Sequence, residues 1–301
     1  MGLKYKSFKA QDGADIFFVE QGEGRPLVYL LGFLDTIETS QALLARWSRQ
    51  FRCIMFDYRG FGKTPATNVG GIEQSARDLH DLLVYLDLKD VALVGYSMGG
   101  SVSFSYFSQF GDERIGRLAL VDTTPKVINE NGWNLGLRQG RYSRDDFEHD
   151  LRSICENPPL FHMNFYLHAA TLSRPEAYPA FPSRDDVGGW LAAVMAKTGL
   201  AERFARRVFF KETDRAQREL EETFWTSMAG GDWRSTLANI NVLTLCLYAD
   251  PGSCYSPLVG RRLVAEIPNA TLETIPEATH HFVRDKFGEF VTMIDEFCSP
   301  S

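Results

Sequence analysis

Short apolar runs of strand character alternate with amphipathic stretches of helical period over the first 124 residues, and no other feature restricts the fold as much. The runs "DIFFVEQG", "PLVYLLG", "FRCIMFD", "VALVGYS" and "RLALVDTT" read as strands, and "IETSQALLARWSRQ", "IEQSARDLHDLLVYLDL" and "MGGSVSFSYFSQF" read as the helices between them. A strand that returns parallel to its neighbour needs a crossover, usually a helix, and those helices then cover both faces of the sheet. The predicted fold class is therefore α/β, a mostly parallel sheet flanked by helices. From about Pro125 to Arg234 no strand-like run stands out, and aromatic residues, Trp133 among them, lie between charged stretches. This segment reads as a helical insertion. The alternation resumes with "NVLTLCLYAD", "SPLVGRRLVAEI", "TLETI" and "FGEFVTMIDEFC", so residues 1–124 and 235–301 are expected to form one core and 125–234 a cap inserted into it.

Composition narrows the function classes. At 301 residues the chain can bury a large core, and 44% apolar with 24% charged residues is the balance of an ordinary globular protein. A net charge of -7 with no basic run beyond pairs such as Arg206 and Arg207 argues against a nucleic-acid partner, because phosphate binding needs concentrated positive charge. The N-terminus lacks an apolar signal core and no segment approaches the roughly 20 apolar residues of a membrane span, so the expectation is a cytoplasmic protein with no membrane partner. The five cysteines are scattered without a CxxC pair, which argues against a disulfide framework and against a zinc site; no metal and no cofactor are expected. The expected partner is a small-molecule substrate, and a homodimer is the one protein assembly considered.

The run "VALVGYSMGG" breaks at its glycines, where a strand passes into a helix. A turn this sharp forces its apex residue into a sparsely populated backbone conformation and brings neighbouring backbone so close that only glycine fits two residues before and after it. Gly95 and Gly99 flank Ser97 in this way. The turn lifts the hydroxyl to the carboxyl ends of the strands, where open α/β sheets bind ligands. A serine hydroxyl is a weak nucleophile near neutral pH, so a reactive Ser97 requires a histidine base and an acid to orient it. Of six histidines, His80 lies within a helix and His149, His162 and His168 within the insertion, whereas His280 and His281 occupy the loop "IPEATHHF" after the last strand. Two acids compete. Asp250 ends the penultimate strand in "LCLYADPGS", where an Asp-Pro turn would also explain it, and Asp122 ends the strand after the nucleophile helix in "LALVDTTP".

These residues resemble the α/β-hydrolase fold family. GYSMG fits its GxSxG nucleophile elbow, and Ser97, Asp250 and His280 follow its chain order of nucleophile, acid and base. "FDYRGFGKT" resembles its D-x-R-G-x-G-x-S stretch and "PLVYLLGF" its oxyanion strand, so the resemblance covers the whole expected core. It implies that His280 is the base, with His281 at the apolar position beside it, and that the backbone N–H groups of Phe33 and Met98 form the oxyanion hole. Met98 opens a helix, whose dipole would aid its amide. Leu31 stands where the family usually has histidine, which should make the floor of the site more apolar, and no GGG-type oxyanion loop is present. Leu31, Leu34, Tyr96 and Trp133 are candidates for lining the substrate pocket.

The implied activity is hydrolysis of a carboxylic ester or lactone of a small, mostly apolar molecule through an acyl-enzyme. Other chemistry of the same family forms the alternative: C–C bond hydrolysis, cofactor-free haloperoxidation or oxygenation, or a non-catalytic ligand receptor. The haloperoxidase-like members usually carry proline two residues after the oxyanion glycine, and here that residue is Leu34. Cofactor-free oxygenases are expected to rely on an acid at the Asp122 position.

Overall fold

A computed structural model describes residues 2–170 and 214–299. Eight strands form one sheet in the order β1-β2-β4-β3-β5-β6-β7-β8. They are β1 (Tyr5–Lys9), β2 (Asp15–Gln21), β3 (Pro26–Leu30), β4 (Arg52–Phe56), β5 (Val91–Tyr96), β6 (Ile115–Val121), β7 (Leu243–Pro251) and β8 (Ala270–Ala278). Strand β2 pairs antiparallel with β1 and β4, and every pairing from β4 through β8 is parallel. The expected α/β class and parallel sheet are thus present.

Burial explains the strand sequences. Every residue of β5 is buried, which is why "VALVGY" is apolar throughout rather than alternating. Strand β1 was not anticipated: in "YKSFK" only Phe8 is buried, so the segment shows too little apolar pattern to announce itself. Helix α1 (Gln41–Trp47) is shorter than its amphipathic stretch, because the chain before it is held in turns, with the Ile37 N–H donating to the buried Asp57 carboxylate at 2.9 Å. Helices α2 (Gly71–Tyr85) and α3 (Met98–Phe110) follow their expected spans, α3 to the residue.

Between β6 and β7 the described chain is helical apart from its connections. It contains a short turn α4 (Leu137–Gly140), α5 (Arg144–Glu156), α6 (Pro158–Ala170), α7 (Arg215–Gly230) and a 3-10 segment (Arg234–Asn239). Residues 171–213 of the expected cap lie outside the described residues. Entry and exit of the insertion meet: the Trp233 N–H donates to Pro125 O at 3.0 Å, and the buried Lys126 ammonium lies 3.4 Å from Asp232 and 3.2 Å from Glu130. A buried lysine requires such partners, and here they tie the two ends of the insertion together. Helix α7 reaches back to the core, where Ser227 Oγ accepts from the Ile72 N–H at 2.9 Å and donates to Glu73 at 2.7 Å.

The remaining helices are α8 (Pro257–Glu266), α9 (Phe282–Asp285) and α10 (Phe287–Cys298), and α10 packs Phe290 against Trp47 of α1 with ring centroids 5.8 Å apart. Among the described residues no helix is long and apolar enough to cross a membrane.

Candidate active site

Ser97 sits between β5 and α3 with φ 53° and ψ -117°, a conformation L residues rarely adopt. Neighbouring strands hold it there: the Ser97 N–H donates to Val121 O at 2.9 Å, continuing the β5–β6 ladder past the end of β5. The flanking glycines are required by contact. A Cβ on Gly99 would lie 2.3 Å from Leu30 O, and one on Gly95 would lie 2.5 Å from Ser103 Oγ and 2.7 Å from Gly99 O.

Strand β8 delivers His280 to the same edge of the sheet. Its Nε2 lies 2.9 Å from Ser97 Oγ, and its Nδ1 lies 2.5 Å from Asp122 Oδ2. With Nδ1–H donating to the carboxylate, Nε2 is left as the acceptor of the serine proton. All three residues are buried, with exposures of 7%, 3% and 0% for Ser97, His280 and Asp122.

The carboxylate against His280 is thus that of Asp122, the competing candidate, and not that of Asp250. Asp122 follows the last residue of β6 at φ 44°, and its N–H donates to Leu247 O at 2.8 Å, so the β6–β7 ladder pins it as the β5–β6 ladder pins Ser97. Asp250 is exposed. Strand β7 continues through it, pairing Asp250 with Pro276, and its side chain lines an open groove of about 500 Å³ with Arg141 and Arg261. One strand's extra length therefore moves the predicted acid into that groove. The other Asp122 oxygen, Oδ1, is buried and has no hydrogen-bond partner among the described residues.

Three groups hold the His280 backbone and ring. The Tyr96 hydroxyl donates to His280 O at 2.9 Å, and its ring stacks on the imidazole at 5.1 Å and 26°. Tyr255 meets the imidazole edge-on at 5.9 Å. The Ser253 hydroxyl accepts from the His280 N–H at 2.7 Å. Tyr96, expected as a pocket liner, is 4% exposed and buttresses the histidine, whereas nothing in the sequence distinguishes Ser253 from the turn residues around it. His281 packs its ring 4.9 Å from Tyr166, and burial, reinforced by the nearby His280 and Arg284, lowers its pKa from 6.5 to about 3.

The segment after β3 forms a turn in which the Asp35 N–H donates to Gly32 O at 3.2 Å and Leu34 takes φ 64°. Positive φ at the third turn position is the type II geometry, in which Phe33 precedes the strained residue. Phe33 turns its ring onto Trp225, Phe165 and Phe161 at centroid distances of 5.3, 5.9 and 6.3 Å. Met98 is the first residue of α3, where backbone N–H groups have no intrahelical acceptor. Asp35 anchors the turn: its carboxylate accepts from Arg284 Nη2 at 2.5 Å, and burial raises its pKa against the pull of that guanidinium. Leu31 is fully buried beneath the turn. Trp133 is buried near the start of the insertion, with the Arg234 guanidinium 5.9 Å from its ring centre. Among the described residues no cluster of His, Cys, Asp and Glu could hold a metal ion.

An eight-stranded, mostly parallel sheet with a serine elbow after β5 and a histidine after β8 defines the class of α/β-hydrolase enzymes. A sequence profile of the α/β hydrolase fold matches residues 25–286, and the chain belongs to that family. A putative non-heme chloroperoxidase of Synechocystis sp. is 25% identical over 284 residues, covering 88% of each chain. The non-heme chloroperoxidase CPO-A1 of Kitasatospora aureofaciens is 36% identical over 126 residues, covering 41% of this chain and 46% of the relative, so this match spans about half of that protein's length. Among solved structures an esterase from Exiguobacterium antarcticum superposes with a TM-score of 0.78 at 20% identity, covering 99% of both chains.

Proposed function

We propose that this protein is a serine hydrolase that cleaves a carboxylic ester or lactone of a small, mostly apolar substrate. The observation that carries the reading is the continuous relay Ser97 Oγ, His280 Nε2, His280 Nδ1 and Asp122 Oδ2, with contacts of 2.9 and 2.5 Å. Ser97 attacks the acyl carbonyl while His280 takes its proton, and Asp122 holds the imidazole and stabilises the imidazolium that forms. The Phe33 and Met98 amides receive the oxyanion, a contribution worth about 100- to 1000-fold in rate per donor in comparable enzymes. His280 then protonates the leaving oxygen, and water, deprotonated by the same ring, releases the acyl group. The aromatic wall of Phe33, Phe161, Phe165 and Trp225 supports an apolar acyl or alcohol portion. The free state of all five cysteines agrees with a reducing, cytoplasmic setting.

Chromogenic esters of increasing acyl length, assayed with wild type and Ser97→Ala, test this reading together with fluorophosphonate labelling of Ser97 read by mass spectrometry. Turnover and labelling that both vanish in Ser97→Ala support it. An unlabelled Ser97 with no ester turnover sinks it.

One observation favours a second reading, cofactor-free oxygenation: the acid against His280 is Asp122. In that chemistry the His280–Asp122 pair removes a proton from the substrate and Ser97 need not form a covalent bond. Oxygen uptake that survives Ser97→Ala but not His280→Ala would establish it. Haloperoxidation is disfavoured by Leu34, because its φ of 64° cannot be reached by the proline expected there in that group.

A further inference from the structure

The groups around His280 include one that belongs to neither relay nor oxyanion turn. Ser253 lies in the loop after β7, is 1% exposed, and joins three segments distant in sequence. Its hydroxyl donates to Ala169 O at 2.6 Å and accepts from the His280 N–H at 2.7 Å, and that N–H also lies 3.2 Å from Ala169 O. Ala169 is the penultimate described residue of α6, and its carbonyl accepts from both groups. A serine hydroxyl has one proton to give and two lone pairs to receive. Here the proton goes to the insertion and a lone pair goes to the candidate base, so the two contacts depend on the same atom.

We propose that Ser253 is a positioning residue that places His280 for proton transfer and makes that placement conditional on the seating of α6. When α6 is docked, Ala169 O orients the Ser253 hydroxyl, and the oriented oxygen fixes the His280 backbone, whose carbonyl is held from the opposite side by Tyr96. When α6 shifts, the His280 N–H loses Ala169 O and the Ser253 oxygen loses its orienting acceptor together. The loop where the family-like acid was expected at Asp250 thereby contributes a link between the insertion and the base. This inference rests on the proposed nucleophilic role of Ser97.

The rate constant of fluorophosphonate labelling at Ser97 reads the effect, compared where each variant is fully folded by circular dichroism. A misplacement of about 1 Å at a reacting group costs about 100-fold, so Ser253→Ala is expected to slow labelling by about 10- to 100-fold, and turnover to lose kcat rather than gain KM. Coupling to the insertion is read with His162→Ala, which removes the 2.8 Å contact between α6 and Glu221 of α7. That change is expected to slow labelling in the wild-type background and to add little in Ser253→Ala, as neighbours in one network do. Wild-type labelling in Ser253→Ala overturns the positioning role, and strictly additive effects of the two substitutions overturn the coupling. If wild type itself is not labelled, the hydrolase reading fails separately. The inference is then decided by the downfield Nδ1 proton resonance of His280: exchange broadening in Ser253→Ala supports it, and an unchanged resonance overturns it.

Discussion

Exchanging Asp122 for asparagine tests the relay most directly, because the structure prescribes what the amide does there. The carboxylate meets His280 through Oδ2 at 2.5 Å and leaves Oδ1 buried without a partner among the described residues. An asparagine with its oxygen toward Nδ1 must bury its NH2 at the Oδ1 position, at a cost of about 1–3 kcal/mol for unsatisfied polar hydrogens. With its NH2 toward Nδ1 it forces the other imidazole tautomer, and Nε2 then carries a proton and cannot accept one from Ser97. In both orientations the negative charge that stabilises the imidazolium is gone. The equivalent change in a serine protease lowers kcat about 10,000-fold, or roughly 5.4 kcal/mol at 1.36 kcal/mol per tenfold. A fall of about 1000- to 10,000-fold in kcat for the best chromogenic ester, with labelling slowed in parallel, is expected of Asp122→Asn. Asp250→Asn, a change at an exposed side chain, should leave both within about 3-fold of wild type. Loss of activity in Asp250→Asn, with more than a tenth retained in Asp122→Asn, would refute the assignment.

Three further outcomes follow from the same structure. Leu34→Gly relieves a strained positive φ and is expected to raise stability by up to about 1 kcal/mol, whereas Leu34→Pro cannot adopt that backbone and should abolish labelling; urea denaturation and the fluorophosphonate probe read the two. His281 and His168 have folded pKa values lowered to about 3, in each case chiefly by burial, so they are neutral in the native state. Their contribution to stability is complete above the unfolded value near 6.5 and is lost as the pH falls from there toward 3. Denaturation midpoints at pH 7.5 and 5 should therefore show acid destabilisation, on the order of 1 kcal/mol per pH unit for each group, and His281→Gln should reduce that slope. Of the five thiols only Cys155 is exposed, so a colorimetric thiol reagent should titrate one equivalent quickly in the native protein and the other four only after unfolding.

Much of the fold was legible because its elements announce themselves locally. Buried parallel strands are continuous apolar runs, and α3 and α10 begin and end where their sequences change character. Strand β1 was not legible, since one buried phenylalanine in five residues is no pattern. At the site, Ser97 could be picked out because its turn needs glycine at Gly95 and Gly99, and the His280–His281 loop because the other four histidines lay in a helix or in the insertion.

The sequence by itself determined the α/β class, the elbow serine and the histidine loop, because each depends on constraints between residues close along the chain: period, turn geometry and close backbone approach. Only the tertiary structure brings Asp122, and not Asp250, against His280. Both end predicted strands in acceptable turns, and the choice depends on how far β7 runs beside β8 and on which ladder pins the backbone at the histidine. The same holds for Ser253 and Tyr96, whose contacts with His280 span 27 and 184 residues of chain. No local pattern encodes a hydrogen bond across that distance; it exists only once the sheet has brought its strand ends together.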